Sequence, residues 1–415
     1  MEIWIISQFF YQEEFIASER LKRITRYLSK RHKLKIFTSN YSGKEILQKD
    51  KLEIINSETF FKEYTFRNFK STRINIKNFI PQIISKIFGD SGWTWYFQLK
   101  SSVFAEIKKQ GKPDLIIASG GPFLPFYLCY ELKKKFRIPY LLDYRDAWFN
   151  NPITYKVNPI FKFIPKMIES KVNKESKSII SVSEATVKSL LRAKNKIVIY
   201  NFPDQSYIDY LRGITKKNRN NNNSTLRLTI TGTLYPYQTL DSICKAIKML
   251  KPNLRKKIIL DYCGSSWQYV DFIFGKYNIK NNLKNYRFID KKRAIKVLAK
   301  GDIAISVISC VSGGNNQTIK GEITTKIFDY IALGKNIINL TFDDYEIIKL
   351  LRKIKYQNLF NVNPLDTNKL KRLFESAINE KIEFKKIKLI DSNSIKGLLK
   401  ESKANLELLE NTLKD

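Results

Sequence analysis

Short runs of β-branched and aliphatic residues recur along the chain, most followed by an amphipathic stretch at helical spacing. In the first 200 residues Ile3–Ile6, Leu34–Thr38, Leu115–Ala118, Pro139–Asp143, Ile179–Ser183 and Ile197–Tyr200 read as strands. Glu19–Ser29 and Phe123–Phe136 read as helices between them. That alternation builds a parallel sheet with helices on both faces. Over 201–225 it stops: Lys216-Lys217-Asn218-Arg219 and Asn220–Asn223 have no apolar period, and a linker or loop is expected. It restarts with strands at Leu226–Thr231, Ile258–Cys263, Tyr286–Ile289, Ile303–Ile308 and Asn336–Leu340, and a helix at Leu240–Leu250. The expectation is an α/β chain of two doubly wound domains, 1–200 and 226–393. A final helix in 394–415 is expected to pack back on the first domain. Two such domains would hold a ligand in a cleft at the carboxyl ends of both sheets.

The 415 residues exceed what one core usually serves, and a 43% hydrophobic share rules out wholesale disorder. No apolar run approaches the ~18 residues of a membrane-spanning helix, and Met1–Ser7 reads as a strand rather than a leader. Cys129, Cys244, Cys263 and Cys310 lie far apart, as in a reduced cytosolic protein. The single histidine, His32, excludes multi-histidine zinc sites and reads as a solvated residue between a helix and a strand. The net charge of +35 suggests a polyanionic partner, either nucleic acid or an anionic membrane face. The excess is spread evenly, with 36 basic and 18 acidic residues in 1–200 against 38 and 21 in 201–415. Even spreading, with no helix-turn-helix, zinc-finger or RNP-type motif, argues against a nucleic-acid groove.

Candidate chemistry sits at strand ends. Ser119-Gly120-Gly121-Pro122 and Gly232-Thr233-Leu234 each follow a strand, where glycine lets the backbone approach a ligand closely. Asp143-Tyr144-Arg145-Asp146-Ala147-Trp148 puts two carboxylates and an arginine at one strand end; Arg145 suits a phosphate or a leaving group. In Gly321–Gly334, Thr324, Thr325 and Lys326 open a helix, and Asp329 lies three residues beyond Lys326 on the same face. A lysine there suits a diphosphate, and a carboxylate one turn on can accept two ribose hydroxyls. There is no G-x-G-x-x-G, no Walker A and no Asp-x-Asp, so dinucleotide enzymes, P-loop ATPases and the usual metal-held sugar nucleotide lose support.

Taken in order, these pieces resemble the bacterial family 4 glycosyltransferases of the GT-B fold, most of all members that build surface polysaccharides on lipid carriers. Trp4–Tyr11 resembles their first strand and loop, with Ser18 and Arg20 matching a Ser-x-Arg. Asp114–Phe123 is similar to their second glycine-rich loop, and Pro139–Trp148 to an Asp-Phe-Arg-Asp-Pro-Trp signature. Asn201–Asp204 resembles an Asn-Gly-x-Asp turn, Gly232–Tyr235 the phosphate loop, and Thr325–Ala332 a Pro-Thr-Lys-x-Phe-Glu-Tyr-Leu-Ala segment. The resemblance implies two Rossmann-like domains and a retaining, metal-independent transfer of a sugar from a nucleoside-diphosphate sugar to a glycan. The acceptor is expected to be lipid-linked and the route to be capsule, O-antigen or exopolysaccharide synthesis. No cofactor or metal is expected.

It further implies a donor site of Gly232, Thr233, Leu234, Ile289, Glu322, Thr324, Thr325, Lys326 and Asp329, with Asp329 replacing a ribose-binding glutamate. Lys326, Arg145 and Arg20 are expected to meet phosphate charge, and Ser18, Gly120, Gly121, Pro122, Asp143 and Asp146 to face the acceptor. The departing phosphate deprotonates the acceptor in the mechanism usually proposed for the family, so no protein base is required. Two departures stand out. Seven residues separate the family's paired glutamates, but that spacing back from Asp329 meets Gly321, with Glu322 one off. The cations that often follow the phosphate loop are replaced by Tyr235–Gln238.

Phe60–Lys112 combines nine singled-out aromatics, among them Phe61, Phe66, Phe69, Phe79, Phe88, Trp93, Trp95, Tyr96 and Phe97, with ten basic and three acidic residues. This mixture suits an anionic bilayer surface, placing the protein peripherally on the inner face of the cytoplasmic membrane. The alternatives are an inactive GT-B scaffold and, less favoured, a basic nucleic-acid-binding protein.

Overall fold

A computed structural model describes residues 1–10, 16–39, 52–59, 79–150, 161–217, 225–308, 323–342, 345–379 and 392–414. The chain divides into two compact units. One holds Met1–Asn201 with Lys403–Asp415; the other holds Phe202–Asn315 and Ile319–Ser402.

Among the described residues, the first unit has strands β1 Glu2–Ile6, β2 Lys33–Thr38, β3 Leu52–Asn56, β4 Leu115–Ser119, β5 Tyr140–Tyr144, β6 Ser178–Ser181 and β7 Lys196–Val198. They form one parallel sheet in the order β3-β2-β1-β4-β5-β6-β7. Strand side chains alternate between faces. Trp4, Ile6, Ile116, Ala118 and Leu142 therefore meet the helices Trp93–Gln110, Pro125–Phe136 and Phe163–Glu175 on one face. Ile3, Ile5, Ile36 and Ile117 meet Leu21, Ile24 and Leu28 of the helix Ile16–Leu28 on the other. Each such side chain removed from water contributes about 1.5–3 kcal/mol, which is why these strands read as unbroken apolar runs. Leu406, Leu409 and Leu413 of the C-terminal helix Ser392–Lys414 join the second cluster. This helix also covers His32, which is buried rather than solvated, with Nε2 3.1 Å from Glu410 Oε1.

The second unit has β8 Leu226–Thr231, β9 Ile258–Cys263, β10 Leu283–Asn285, β11 Ile303–Val307, β12 Asn336–Leu340 and β13 Leu359–Val362, all parallel, in the order β10-β9-β8-β11-β12-β13. Leu228, Ile230, Leu260, Ile305, Ile338 and Leu340 pack under the helices Asp241–Lys248, Trp267–Lys276 and Thr367–Ile378. The strand expected at Tyr286–Ile289 is instead β10, ending at Asn285; Arg287 takes φ +59°, which breaks the extended register. The segment expected as a linker contains the helix Gln205–Lys217, anchored by the fully buried Ile208 and Leu211; 218–224 lie outside the described residues.

Of the aromatics expected on a membrane-facing surface, Trp95 and Tyr96 are core, while Phe97 is 61% exposed. Phe61, Phe66, Phe69 and the Phe79 side chain lie outside the described residues. Among those described, no helix is long and apolar enough to cross a membrane. Cys129, Cys244 and Cys263 are buried free thiols, and Cys310 lies outside the described residues.

Asp90, fully buried, sits in the turn before the helix Trp93–Gln110. Its Oδ2 accepts from the Phe123 and Leu124 amides at 2.8 and 2.6 Å, pinning the start of the helix that follows β4. Burial pushes its carboxyl up to about 6 against those two hydrogen bonds. A carboxyl raised on folding adds stability below its unfolded pKa and loses that contribution as pH rises through the folded value. From pH 4.5 to 7.5, wild type should lose about 2 kcal/mol of stability relative to Asp90→Asn. Urea unfolding followed by tryptophan fluorescence checks this; a difference that does not vary with pH would contradict it.

Candidate functional site

In a doubly wound sheet, ligands collect at the carboxyl ends of strands where the strand order reverses. The reversal lies between β1 and β4 in the first unit and between β8 and β11 in the second.

In the second unit β8 is followed by Gly232, whose φ of +81° suits glycine. A Cβ at this position would overlap the Lys326 side chain, so the lysine stem lies directly against the glycine backbone. Lys326 Nζ donates to the Thr233 carbonyl at 2.8 Å. The loop is held from below. The Gly232 amide donates to the Cys263 carbonyl (2.6 Å), and the Tyr262 hydroxyl donates to the Gly232 carbonyl (2.9 Å). Ser266 Oγ exchanges two 3.0 Å hydrogen bonds with the Leu234 backbone, and Thr233 Oγ1 lies 2.7 Å from Ser265 Oγ. Gly232, Thr233, Leu234 and Lys326 thus form one structure. Ser265 and Ser266 were missed from sequence; their signal is the Gly-Ser-Ser that ends β9.

Asp329 lies on the helix Lys326–Ala332, and its Oδ1 accepts from the Tyr207 hydroxyl at 2.9 Å. Lys291 Nζ stands 4.4 Å from the Tyr207 ring centroid. Partial burial raises the Asp329 carboxyl above its usual range, against the opposing pull of Lys291 and the Tyr207 hydroxyl. Thr324 and Thr325 are half-buried, and their carbonyls accept from the Ile327 and Phe328 amides. Ile289 is half-buried in the loop after β10. Glu322 lies outside the described residues.

In the first unit, Arg20 and Asp143 are one buried pair, each side chain 1% exposed, with Nη2–Oδ1 at 2.7 Å and Nε 3.1 Å from both carboxylate oxygens. Arg20 Nη1 donates to the Ile199 carbonyl and to Asn201 Oδ1. Asp143 also accepts from Ser119 Oγ (2.8 Å), and its carbonyl accepts from the Gly120 amide. Arg20 and Asp143, both expected to meet substrate, form a tie between the helix Ile16–Leu28 and the carboxyl ends of β4 and β5. Arg145 lies over the glycine loop, donating to the Gly120 and Gly121 carbonyls at 2.7 and 2.8 Å. Gly121 has φ +92°, and its added Cβ would come 3.3 Å from Arg145 Nη2. Pro122 is buried and Asp146 exposed. Ser18 lies in the first helix, its side chain outside the described residues.

No protein-family model matches the chain, and no curated protein matches it either. Solved structures do. Sucrose-phosphate synthase from Thermosynechococcus elongatus aligns over 100% of this chain and 98% of its own, at TM-score 0.64 and 11% identity. HepE from Anabaena, in complex with UDP and glucose, aligns over 100% of both chains at TM-score 0.62 and 15% identity. A glycosyltransferase from Rickettsia africae covers 100% and 99% at TM-score 0.61 and 14% identity. At these identities the likeness is one of fold: the chain has the GT-B fold, built from two parallel Rossmann-like sheets.

Proposed function

We propose that this protein is a glycosyltransferase that moves a sugar, with retention and without a divalent metal, from a nucleoside-diphosphate sugar to a glycan acceptor. The observation that carries the reading is the packing of Lys326 onto Gly232 and Thr233 at the end of β8. It sets a fixed cation on the glycine loop at the carboxyl end of β8, in a fold whose solved relatives include one holding UDP and glucose and another bound with UDP-2-fluoro glucose. Positive charge preset where a diphosphate departs is the main rate contribution such a site offers. In this reading Lys326 faces the diphosphate with the Gly232–Leu234 loop, and Asp329 meets the ribose. Arg145 presents the Gly120–Pro122 loop toward the acceptor, and the Arg20–Asp143 pair holds that loop in place.

The acceptor is a glycan on a lipid carrier in envelope polysaccharide synthesis, and the protein works against the inner face of the cytoplasmic membrane. The resemblance to surface-polysaccharide enzymes and one fold relative, a glycosyltransferase involved in lipopolysaccharide biosynthesis, support this. So does one exposed face. Phe163 and Met167 are 61% and 59% exposed on the helix Phe163–Glu175, with Lys162, Lys166, Lys171 and Lys174 exposed around them and Glu169 turned inward. An apolar pair ringed by lysines fits an anionic leaflet.

Lys326→Met keeps the stem over Gly232 and removes the charge. It should leave the apo melting temperature nearly unchanged, abolish the shift produced by the best donor in a panel of UDP-, GDP-, ADP- and dTDP-sugars, and cut turnover about 100-fold or more. An unaltered shift would remove Lys326 from the site, while donor binding without turnover in wild type would favour the scaffold reading. Wild type should float with phosphatidylglycerol vesicles at low salt. Lys162→Glu with Lys166→Glu should lower the bound fraction at least fivefold, at about 1 kcal/mol per charge. Equal flotation would rule this face out.

A further inference from the structure

The second unit carries a recess of about 840 Å³ at the amino ends of β9 and β10, the opposite end of the strands from the loop after β8. The six residues of β9 separate the two ends by about 20 Å. The volume is that of a small-molecule site. Its charge is one-sided: Arg255, Lys256, Lys276 and Lys280 line it against a single carboxylate, Asp271. Asp271 accepts from Asn285 Nδ2 at 2.8 Å, and Lys276 pairs with Asp241 at 3.4 Å. Among the described residues, the Lys256 and Lys280 ammonium groups have no carboxylate partner and no hydrogen-bond acceptor. In a chain of net charge +35, cations alone do not make a site; here they are held. A Cβ at Gly275, in the last turn of the helix Trp267–Lys276, would come 2.9 Å from Lys280 Cε and 3.7 Å from its Nζ. The lysine stem therefore lies on bare glycine, as Lys326 lies on Gly232. Asn278 takes φ +55° and turns the chain between Gly275 and Lys280. The buried Asn282 donates to the Arg255 and Ile258 carbonyls at 2.6 and 2.8 Å, tying the turn that bears Arg255 and Lys256 to the segment that bears Lys280.

The rest of the lining says what such an anion carries. Phe272, 67% exposed, presents an apolar ring, and Asn278 and Asn281 present exposed amides. Cations without counter-charge suit a phosphate, amides suit hydroxyls, and a flat ring suits the C–H face of a sugar. A bilayer would meet a flat or projecting surface, whereas these groups line a concavity. We propose that this recess is a second ligand site, built for a sugar phosphate, with Arg255, Lys256 and Lys280 on the phosphate and Phe272 against the sugar. It stands apart from the donor site and does not depend on that reading.

Isothermal titration of the full-length protein with hexose 1-phosphates, hexose 6-phosphates, the free hexoses and inorganic phosphate, at low salt, tests this. At least one sugar phosphate should bind about tenfold or more tightly than inorganic phosphate, the scale of one added charge-assisted or several neutral contacts. Lys256→Gln with Lys280→Gln should weaken that sugar phosphate about tenfold or more, while Lys326→Met, in the loop at the other end of the sheet, should bind it within about twofold of wild type. Gly275→Ala puts a better helix former in the helix and pushes the Lys280 stem aside. It should keep or raise the melting temperature and still weaken the sugar phosphate, an outcome that loss of folding would not produce. Wild type that binds no sugar phosphate, or binds inorganic phosphate as tightly, would overturn the proposal. So would unchanged affinity in the double lysine variant, and a loss confined to Lys326→Met would place the ligand in the donor loop instead.

Discussion

A lysine stem fills the space where any residue but glycine would carry its side chain, and the rest of the second unit's site depends on that contact. Gly232 can adopt φ +81° and leave its face bare because it has no Cβ, and Lys326 lies on that face with its ammonium on the Thr233 carbonyl. The loop below is not left to flex. Tyr262 and Cys263 at the end of β9, and Ser266 in the turn after it, hold residues 232 to 234 through backbone and hydroxyl hydrogen bonds. A cation preset in this way costs no reorganisation when charge develops beside it.

The first unit repeats the device with different residues. Gly121, also at positive φ, follows β4, and the Arg145 guanidinium lies over it on the Gly120 and Gly121 carbonyls. In both units the glycine stands after a strand at the reversal of the sheet. The first unit adds a deeper layer, in which the buried Arg20–Asp143 pair and Ser119 fix the start of the loop and Asp90 fixes its end. Breaking a buried ion pair by removing one partner costs about 3–5 kcal/mol, so Arg20 and Asp143 hold the start of the loop firmly in position.

The strands were legible where both faces of the sheet are covered. Leu226–Thr231, Ile258–Cys263 and Asn336–Leu340 were read with the bounds the structure gives them, because burial on two sides selects continuous apolar runs. The edge strands Leu52–Asn56 and Leu359–Val362 escaped notice; half-buried positions admit Glu53 and Asn361, and an exposed one Asn56, which blur the pattern. The family resemblance put Lys326 and the Gly232–Thr233 loop in one site, but the hydrogen bond from Lys326 to Thr233 spans 93 residues and leaves no local trace of its own. The same holds for Tyr207 against Asp329, and for His32 under Glu410 of the last helix. The carboxylate partner of Arg20 was hidden for a related reason: an arginine in a helix looks the same in sequence whether it meets a ligand or a carboxylate 123 residues away.

The central claim is that an activated sugar's pyrophosphate is held by a lysine seated on a bare glycine. Its most direct test is a crystal structure with the nucleoside diphosphate that produces the largest thermal shift. The account predicts diphosphate oxygens within ~3 Å of Lys326 Nζ and against the Gly232–Leu234 backbone. A diphosphate bound elsewhere on the chain, with the Gly232–Lys326 contact untouched by ligand, would contradict it.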